Sequence, residues 1–140
     1  GSGAIVVMDE TTDAVKACLS VVRFFARESC GKCSPCREGT TWEEKILQRI
    51  LNGDGRPSDI DLLLDVGDNI SPGPYPVAAF SDEGLDAVPF PPRQTTICPL
   101  GPSSVAPIVS AIRRFRHEFD SLITKSDPIP LALSVEEVVT

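Results

Sequence analysis

Apolar residues recur every three or four positions in four stretches of the chain, which is the spacing of one face of an α-helix. Stretch by stretch, these residues are Val15, Cys18, Leu19, Val22, Phe25 and Ala26; Trp42, Ile46, Leu47, Ile50 and Leu51; Ile60, Leu63, Leu64 and Val66; and Val105, Ile108, Val109, Ile112, Phe115, Phe119 and Leu122. The pattern predicts an all-α fold, a small four-helix bundle whose core these side chains fill.

Capping and breaking residues set the expected bounds of the first two helices. Thr12 is a good N-cap, and the helix it opens is predicted to run to about Glu28. A second helix is expected after a capping box, made by Thr40 with Glu43 or by Thr41 with Glu44. Both glutamates are therefore interpreted as capping carboxylates and not as a catalytic pair. The Asn-Gly-Asp-Gly sequence at 52–55 is predicted to end this helix.

The third and fourth helices carry similar signals. Ser58 is expected to cap a helix that ends near Ile70. The last helix is predicted to begin near Pro102–Ser104, because Pro107 is tolerated only close to a helix start. It should end before the Pro-containing segment that follows Lys125. Residues 12–123 thus form the predicted helical domain.

Three segments do not share the helical pattern. Residues 1–11 begin with a short apolar run, which predicts the last strand of a domain lying upstream, since a lone strand cannot pair its backbone groups. Residues 71–94 hold six of the 13 prolines and are interpreted as a Pro-rich insertion loop. Residues 124–140 are expected to form a flexible C-terminal tail.

Charge and cysteine content narrow the class of protein. The net charge of -7 argues against binding to nucleic acid or to an anionic membrane surface. The sequence has neither an apolar run of membrane-spanning length nor a visible secretory signal. Five cysteines in a chain of this kind favour a metal site in a reducing cytoplasm over a disulfide framework.

Four of the cysteines have the spacing of metal ligands. Two residues separate Cys30 from Cys33 and Cys33 from Cys36, and the remote Cys98 is followed by proline. This arrangement is typical of a cubane iron–sulfur cluster, which takes one thiolate at each of its four irons. A single zinc ion is the alternative, although zinc usually draws its ligands as two separated pairs. The fifth, Cys18, lies on an apolar helix face and is interpreted as a buried small hydrophobe.

Two cations lie next to the proposed ligands. Lys32 and Arg37 could offset the negative charge of the reduced cluster and so raise its potential, although Lys32 fits a solvated loop lysine equally well. His117, the single histidine, lies between charged residues and is expected at the surface. No grouping of nucleophile, base and acid is evident, so no catalytic residue is predicted.

Three stretches resemble one family. Residues 28–39 (Glu-Ser-Cys-Gly-Lys-Cys-Ser-Pro-Cys-Arg-Glu-Gly), 96–101 (Thr-Ile-Cys-Pro-Leu-Gly) and 112–116 (Ile-Arg-Arg-Phe-Arg) resemble the C-terminal iron–sulfur domain of the F-type, NADH-binding flavoprotein subunit of respiratory complex I. Residues 3–9 are similar to the approach to that domain. The resemblance extends over roughly residues 1–120, and the longer insertion at 71–94 departs from it.

The resemblance implies an electron-transfer domain of NADH:quinone oxidoreductase. In that family the four matching cysteines bind a [4Fe–4S] cluster, which receives electrons from FMN after hydride transfer from NADH and passes them toward quinone. The partners would be other hydrophilic-arm subunits, especially the small thioredoxin-like [2Fe–2S] subunit and the large iron–sulfur subunit. The location would be cytoplasmic, peripheral to the inner (plasma) membrane.

The same resemblance limits what this chain should do alone. The family's FMN- and NADH-binding domain lies upstream, so the fragment is not expected to oxidise NADH by itself. Related diaphorases, such as NAD-reducing hydrogenase and formate dehydrogenase, share the cysteine signature and remain alternatives. A zinc-stapled interaction module without a redox role is the third possibility.

Overall fold

The architecture of the chain is a bundle of α-helices, seen here in a computed structural model that describes residues 5–72 and 94–125. The helices are α1 (Ala14–Glu28), α2 (Ser34–Arg49), which continues into a π-helical turn (Ile50–Asp54), α3 (Ser58–Ile70), α4 (Leu100–Arg114) and α5 (Arg116–Leu122). Within these ranges β-type pairing is limited to a single bridge between Gly55 and Ile123. The predicted all-α fold is confirmed.

All five helices contribute to the core that the sequence pattern predicts. One cluster of buried side chains joins α1, α2, α3, α4 and α5, and includes Val15, Leu19, Leu47, Leu63, Ile108 and Phe119. A smaller cluster between α3 and α4 consists of Val66, Ile70, Val105 and Val109. Three predicted core residues are exposed instead: Trp42 is 53% exposed, Phe115 is 39% exposed and Leu64 is 36% exposed.

The start of α1 differs from the prediction by one residue. The N-cap is Asp13 and not Thr12, and its carboxylate accepts a hydrogen bond from the Lys16 backbone N–H at 2.8 Å. The Ala14 N–H donates to Glu118 Oε2 of α5, also at 2.8 Å. The first turn of α1 is therefore capped partly by its own sequence and partly by the last helix.

Helix α2 begins earlier than the capping-box prediction, which is wrong. Cys33 is the N-cap and Pro35 lies in the first turn, so the helix starts inside the cysteine motif. The hydroxyls of Thr40 and Thr41 donate to the carbonyls of Cys36 and Arg37, at 2.7 and 3.0 Å. Threonine in mid-helix commonly donates to the carbonyl one turn back in this way. The Thr-x-x-Glu pattern has the sequence of a capping box, but here both hydroxyls make such mid-helix bonds.

The single predicted last helix is divided in two. The backbone leaves helical geometry at Phe115, with φ −124° and ψ 31°, and α5 begins at the next residue. Because of this break, Phe119 turns fully into the core while Phe115 does not. Helix α4 starts at Leu100, so Pro107 lies well inside it and not near its start as expected.

Parts of the terminal and insertion predictions lie outside the described residues. Residues 1–4, 73–93 and 126–140 are outside the described part of the chain. They include the start of the predicted strand, most of the predicted insertion at 71–94 and most of the predicted tail at 124–140. Residues 5–8 are described, and they form no strand; Ile5, Val6 and Val7 are between 78% and 90% exposed.

Candidate metal centre

The first cysteine loop connects the end of α1 to the start of α2. Helix α1 ends at Glu28, and the N–H of the following residue, Ser29, donates to the Phe25 carbonyl at 3.0 Å. Gly31 has φ +78°, a conformation that a residue without Cβ adopts easily, and it turns the chain back toward α2. Cys33 then caps α2 and Cys36 lies one turn inside it. Three thiols are thus brought to one end of the bundle.

The second loop delivers Cys98 and is fastened to the end of α3. The Thr95 hydroxyl donates to the Asn69 carbonyl at 2.7 Å, and the Thr95 N–H donates to the Ile70 carbonyl at 3.2 Å. Within the loop, the Thr96 hydroxyl donates to the carbonyl of Cys98 at 2.9 Å. These bonds fix the position of the fourth thiol relative to α3.

Gly101 allows this loop to pack closely. A Cβ at this position would lie 2.6 Å from Thr96 Oγ1 and 3.0 Å from Ile70 Cγ2. Both distances are shorter than van der Waals contact, so only glycine fits without a shift of the loop or of α3. The sequence motif contains this glycine, but the neighbours that require it are visible only in the fold.

The four predicted ligands are brought together. Cys30, Cys33, Cys36 and Cys98 line one small cavity of about 90 Å³, together with Ser29, Lys32, Thr96 and other residues of the two loops. Cys36 is buried, Cys33 is half-buried, and Cys30 and Cys98 are exposed; none forms a disulfide. Across residues 5–72 and 94–125, no three His, Cys, Asp or Glu side chains are close enough to hold a single metal ion.

Two of the sulfurs have polar neighbours that the sequence analysis did not identify. The Ile97 backbone N–H donates to Cys33 Sγ at 3.3 Å, which joins the two loops. The Ser29 hydroxyl lies 3.4 Å from Cys36 Sγ. Ser29 directly precedes Cys30 in the cysteine motif, so a contact between its hydroxyl and a cysteine could have been predicted from the sequence. The contact of the Ile97 backbone amide could not.

The two predicted neighbouring cations differ in their surroundings. Lys32 is exposed and lines the cavity. Arg37 is not among its lining residues; its guanidinium donates to the Gly31 carbonyl at 2.8 Å and to Glu38 Oε1 at 2.7 Å. Arg37 therefore braces the backbone of the first loop.

The remaining singled-out residues lie away from the cavity. Cys18 is buried in the core as predicted, and burial, together with the charge of Glu43, raises the pKa of its thiol to about 12. His117 is exposed, also as predicted. Glu43 is not a capping residue: it is fully buried in the middle of α2, and that prediction is wrong.

No helix among the described residues combines the length and apolar character needed to cross a membrane.

Comparison with known proteins gives a consistent result. Residues 16–74 match the model of the NADH-ubiquinone oxidoreductase-F iron–sulfur binding region. The chain is 38% identical over 123 residues to the F-type subunit of the NADH-quinone oxidoreductase of Rickettsia bellii, which is 88% of this chain and 24% of the relative. It is 37% identical over 119 residues to the corresponding protein of Mycobacterium bovis, 85% of this chain and 22% of the relative.

A solved structure is also similar. The chain aligns with an NAD⁺-reducing [NiFe]-hydrogenase in the air-oxidised state, with a TM-score of 0.67 and 27% identity over 89% of this chain and 18% of that one. The chain spans about a quarter of the length of the curated relatives it matches. The resemblance noted in the sequence is confirmed, and the chain belongs to the family of iron–sulfur binding regions found in the F-type subunits of NADH-quinone oxidoreductases.

Proposed function

We propose that Cys30, Cys33, Cys36 and Cys98 hold a [4Fe–4S] cluster and that the domain relays single electrons through it. The observation that carries this proposal is the convergence of four thiols, from two loops far apart in sequence, on one cavity. The ligand set is chemically suitable, since four thiolates are the usual ligands of a cubane. When bound, the cluster supplies one-electron acceptance and donation.

The spacing of the thiols supports a cluster over a single ion. A zinc ion needs its four ligands within bonding distance of one centre, whereas a cubane distributes its ligands over four irons. Three thiols separated by two residues on one loop, with a fourth from a remote loop, suit a cubane better than the two separated pairs that zinc usually draws. A zinc-stapled interaction module is therefore the weaker candidate.

The polar groups around the sulfurs fit a redox role. With Cys36 deprotonated as a cluster ligand, the Ser29 hydroxyl would donate to its thiolate. The Ile97 amide already donates to the sulfur of Cys33. Donors to cluster sulfurs stabilise the more negative, reduced state and so raise the reduction potential. Lys32, on the cavity wall, acts in the same direction.

Within the full-length protein, the domain would take electrons from FMN reduced by NADH and pass them toward quinone. Its partners would be the hydrophilic-arm subunits of the complex, especially the small thioredoxin-like [2Fe–2S] subunit and the large iron–sulfur subunit. The location would be cytoplasmic, at the inner (plasma) membrane through the complex. Residues 1–140 without the flavin domain are expected not to oxidise NADH.

The related diaphorases are a second candidate, favoured by the structural match to an NAD⁺-reducing hydrogenase. The relay chemistry of this domain would be the same, with a different final acceptor. The curated relatives at 37–38% identity are quinone oxidoreductase subunits, which supports quinone as the acceptor. Identification of the copurifying subunits would separate the two: a hydrogenase large subunit supports the alternative, and quinone-module subunits support the first candidate.

The ligand assignment is tested by replacing each cysteine with serine. We expect Cys30→Ser, Cys33→Ser, Cys36→Ser and Cys98→Ser each to prevent a stable [4Fe–4S] cluster on anaerobic reconstitution. Cys18→Ser is the matched control, because Cys18 is a core cysteine outside the cavity, and it should retain full iron and sulfide. Loss of iron in the Cys18 variant, or full retention in the other four, would refute the assignment.

A further inference from the structure

Glu43 is a buried acid that neither the fold nor the cluster site explains. It is 0% exposed, and neither carboxyl oxygen has a hydrogen-bond partner among the described residues. Asp59 is almost as deeply buried but is held by the Arg49 guanidinium. An unpaired buried carboxylate is costly, so the fold tolerates Glu43 chiefly in its protonated form.

No positive charge compensates Glu43 from the elements that pack against α2, as far as the chain is described. From α1, the Cys18 thiol interacts with it electrostatically, while Lys16 is exposed and Arg23 pairs with Glu44. The other charged groups on neighbouring elements are exposed or already paired: Arg27 and Glu28 on α1, Asp59, Asp61, Asp65 and Asp68 on α3, Arg113 and Arg114 on α4, and Asp54 on the π-turn. Burial alone raises the pKa of Glu43 to about 8.

Glu43 is aligned along α2 with the most buried cysteine of the cavity. It follows Cys36 by seven residues, or two helical turns, which is a rise of about 10 Å on the same helix face. Gly39 and Thr40, which lie between them, are buried too. Charges separated by buried protein interact more strongly than charges separated by water, because the screening is weaker.

We propose that Glu43 is a proton-binding site coupled to the redox state of the group held by Cys36 and its three partner cysteines. This inference rests on the proposed function. As the centre gains one electron, from reduced flavin in the enzyme or from dithionite in vitro, Glu43 takes up part of a proton from solvent in the pH range where it is otherwise partly ionised. The added negative charge is partly balanced by this proton uptake, and both the electron and the proton are released on reoxidation.

The sign and size of the coupling follow from electrostatics. An added negative charge about 10 Å away raises the proton affinity of Glu43 about tenfold at an effective dielectric constant of about 20, so its pKa is about one unit higher in the reduced state. Below the oxidised-state pKa Glu43 is protonated in both states, and above the reduced-state pKa it is ionised in both. The reduction potential of the centre therefore falls with rising pH only between these two pKa values, by about 60 mV in total.

The test is a redox titration of the reconstituted chain, followed by EPR at a series of pH values from 6 to 10. Wild type should show a flat potential below about pH 8, a fall of about 60 mV over the next one to two pH units, and a second plateau. The reduction potential of Glu43→Gln should stay at the upper plateau value at every pH. Glu44→Gln is the matched control, since Glu44 is the adjacent glutamate but is partly exposed and paired with Arg23; it should behave as wild type.

A second readout covers the case in which the Gln variant does not assemble. Reduced-minus-oxidised infrared spectra of the wild type near pH 8.5 should show the C=O stretch of a newly protonated carboxyl, and Glu43→Leu should lack it. A pH-independent wild-type potential together with no carboxyl signal would overturn the coupling and leave the relay function intact. A wild-type chain that forms no reducible cluster would overturn the relay function as well.

Discussion

The backbone N–H of Ile97 donates to Cys33 Sγ at 3.3 Å, so an amide of the second cysteine loop bonds a sulfur of the first. The Ser29 hydroxyl makes the corresponding contact with Cys36 Sγ at 3.4 Å. The first loop therefore supplies three thiols and a hydroxyl beside one of them, and the second loop supplies the Cys98 thiol and an amide beside Cys33. Two polar groups at sulfurs in so small a site are expected to adjust its potential.

Removal of the Ser29 hydroxyl should lower the reduction potential. A neutral hydrogen bond contributes about 0.5–1.5 kcal/mol, which for one electron sets an upper limit of about 60 mV if the bond forms only in the reduced state. We expect the reduction potential of Ser29→Ala, measured in an EPR-monitored titration, to lie a few tens of millivolts below that of wild type. Ser34→Ala is the control, because Ser34 is exposed on the same motif. Equal potentials for wild type and Ser29→Ala would contradict a role for this hydroxyl.

A side chain at position 101 should displace the Cys98 loop. Gly101→Ala places a methyl group 2.6 Å from Thr96 Oγ1, and overpacking of this kind costs about 1–3 kcal/mol. The urea midpoint and the cluster content should both decrease. Thr96→Ala in the same chain removes the closest atoms and should restore part of the loss, with Thr96→Ala alone as reference. A double variant no better than Gly101→Ala would show that the Thr96 contact is not the cause.

Arg37 is expected to hold the first loop closed around its metal. Arg37→Ala removes the bond to the Gly31 carbonyl, and the loss of about 0.5–1.5 kcal/mol corresponds to an increase of about two- to tenfold in the rate of iron release to a chelator. Arg116→Ala is a suitable comparison, because Arg116 is an exposed arginine paired with Asp120 on α5. Unchanged iron release from the Arg37 variant would leave this bond without a measurable role.

Glu43 should make the stability of the chain fall as pH rises. Burial raises the pKa of Glu43 to about 8 from an ordinary value of 4.5, so the folded state binds the proton more tightly than the unfolded chain. The destabilisation is absent below about pH 4.5, grows between pH 4.5 and pH 8, and is constant above pH 8. At pH 7 it is of the order of 3 kcal/mol.

Replacement of Glu43 by leucine tests this directly. Urea midpoints of the reconstituted protein, followed by circular dichroism at pH 5, 7 and 9, should fall with pH in wild type and fall less in Glu43→Leu. Glu44→Gln should keep the wild-type slope. Parallel pH profiles for wild type and Glu43→Leu would show that the Glu43 carboxyl is not buried in solution as it is in this structure.

Much of the bundle was predictable because its core obeys the helical period. Val15, Leu19, Leu47, Leu63 and Ile108 are buried where the spacing places them. Helix boundaries were less predictable, since local signals compete. Thr40 has the sequence context of a cap, but its hydroxyl bonds the carbonyl one turn back within a longer helix. The apolar stripe of the last helix continues through Phe115, and nothing in its period reveals the break there.

The candidate site was predictable to the level of its thiols. Ligand spacing alone identified the four cysteines that the fold brings to one cavity. The groups that hold those cysteines were not identified, because they act through backbone atoms or through steric fit: the Ile97 amide, the Thr95 bonds to α3 and the space around Gly101. Glu43 was misassigned because its capping-box context gives no information on burial.

The most direct test of the account is the iron and acid-labile sulfide content of the anaerobically reconstituted chain, measured together with EPR of the dithionite-reduced protein. The account predicts about four irons and four sulfides per chain and the signal of a reduced [4Fe–4S] cluster. One tightly bound zinc without sulfide, and no EPR signal, would contradict it and leave the four cysteines as ligands of a structural metal.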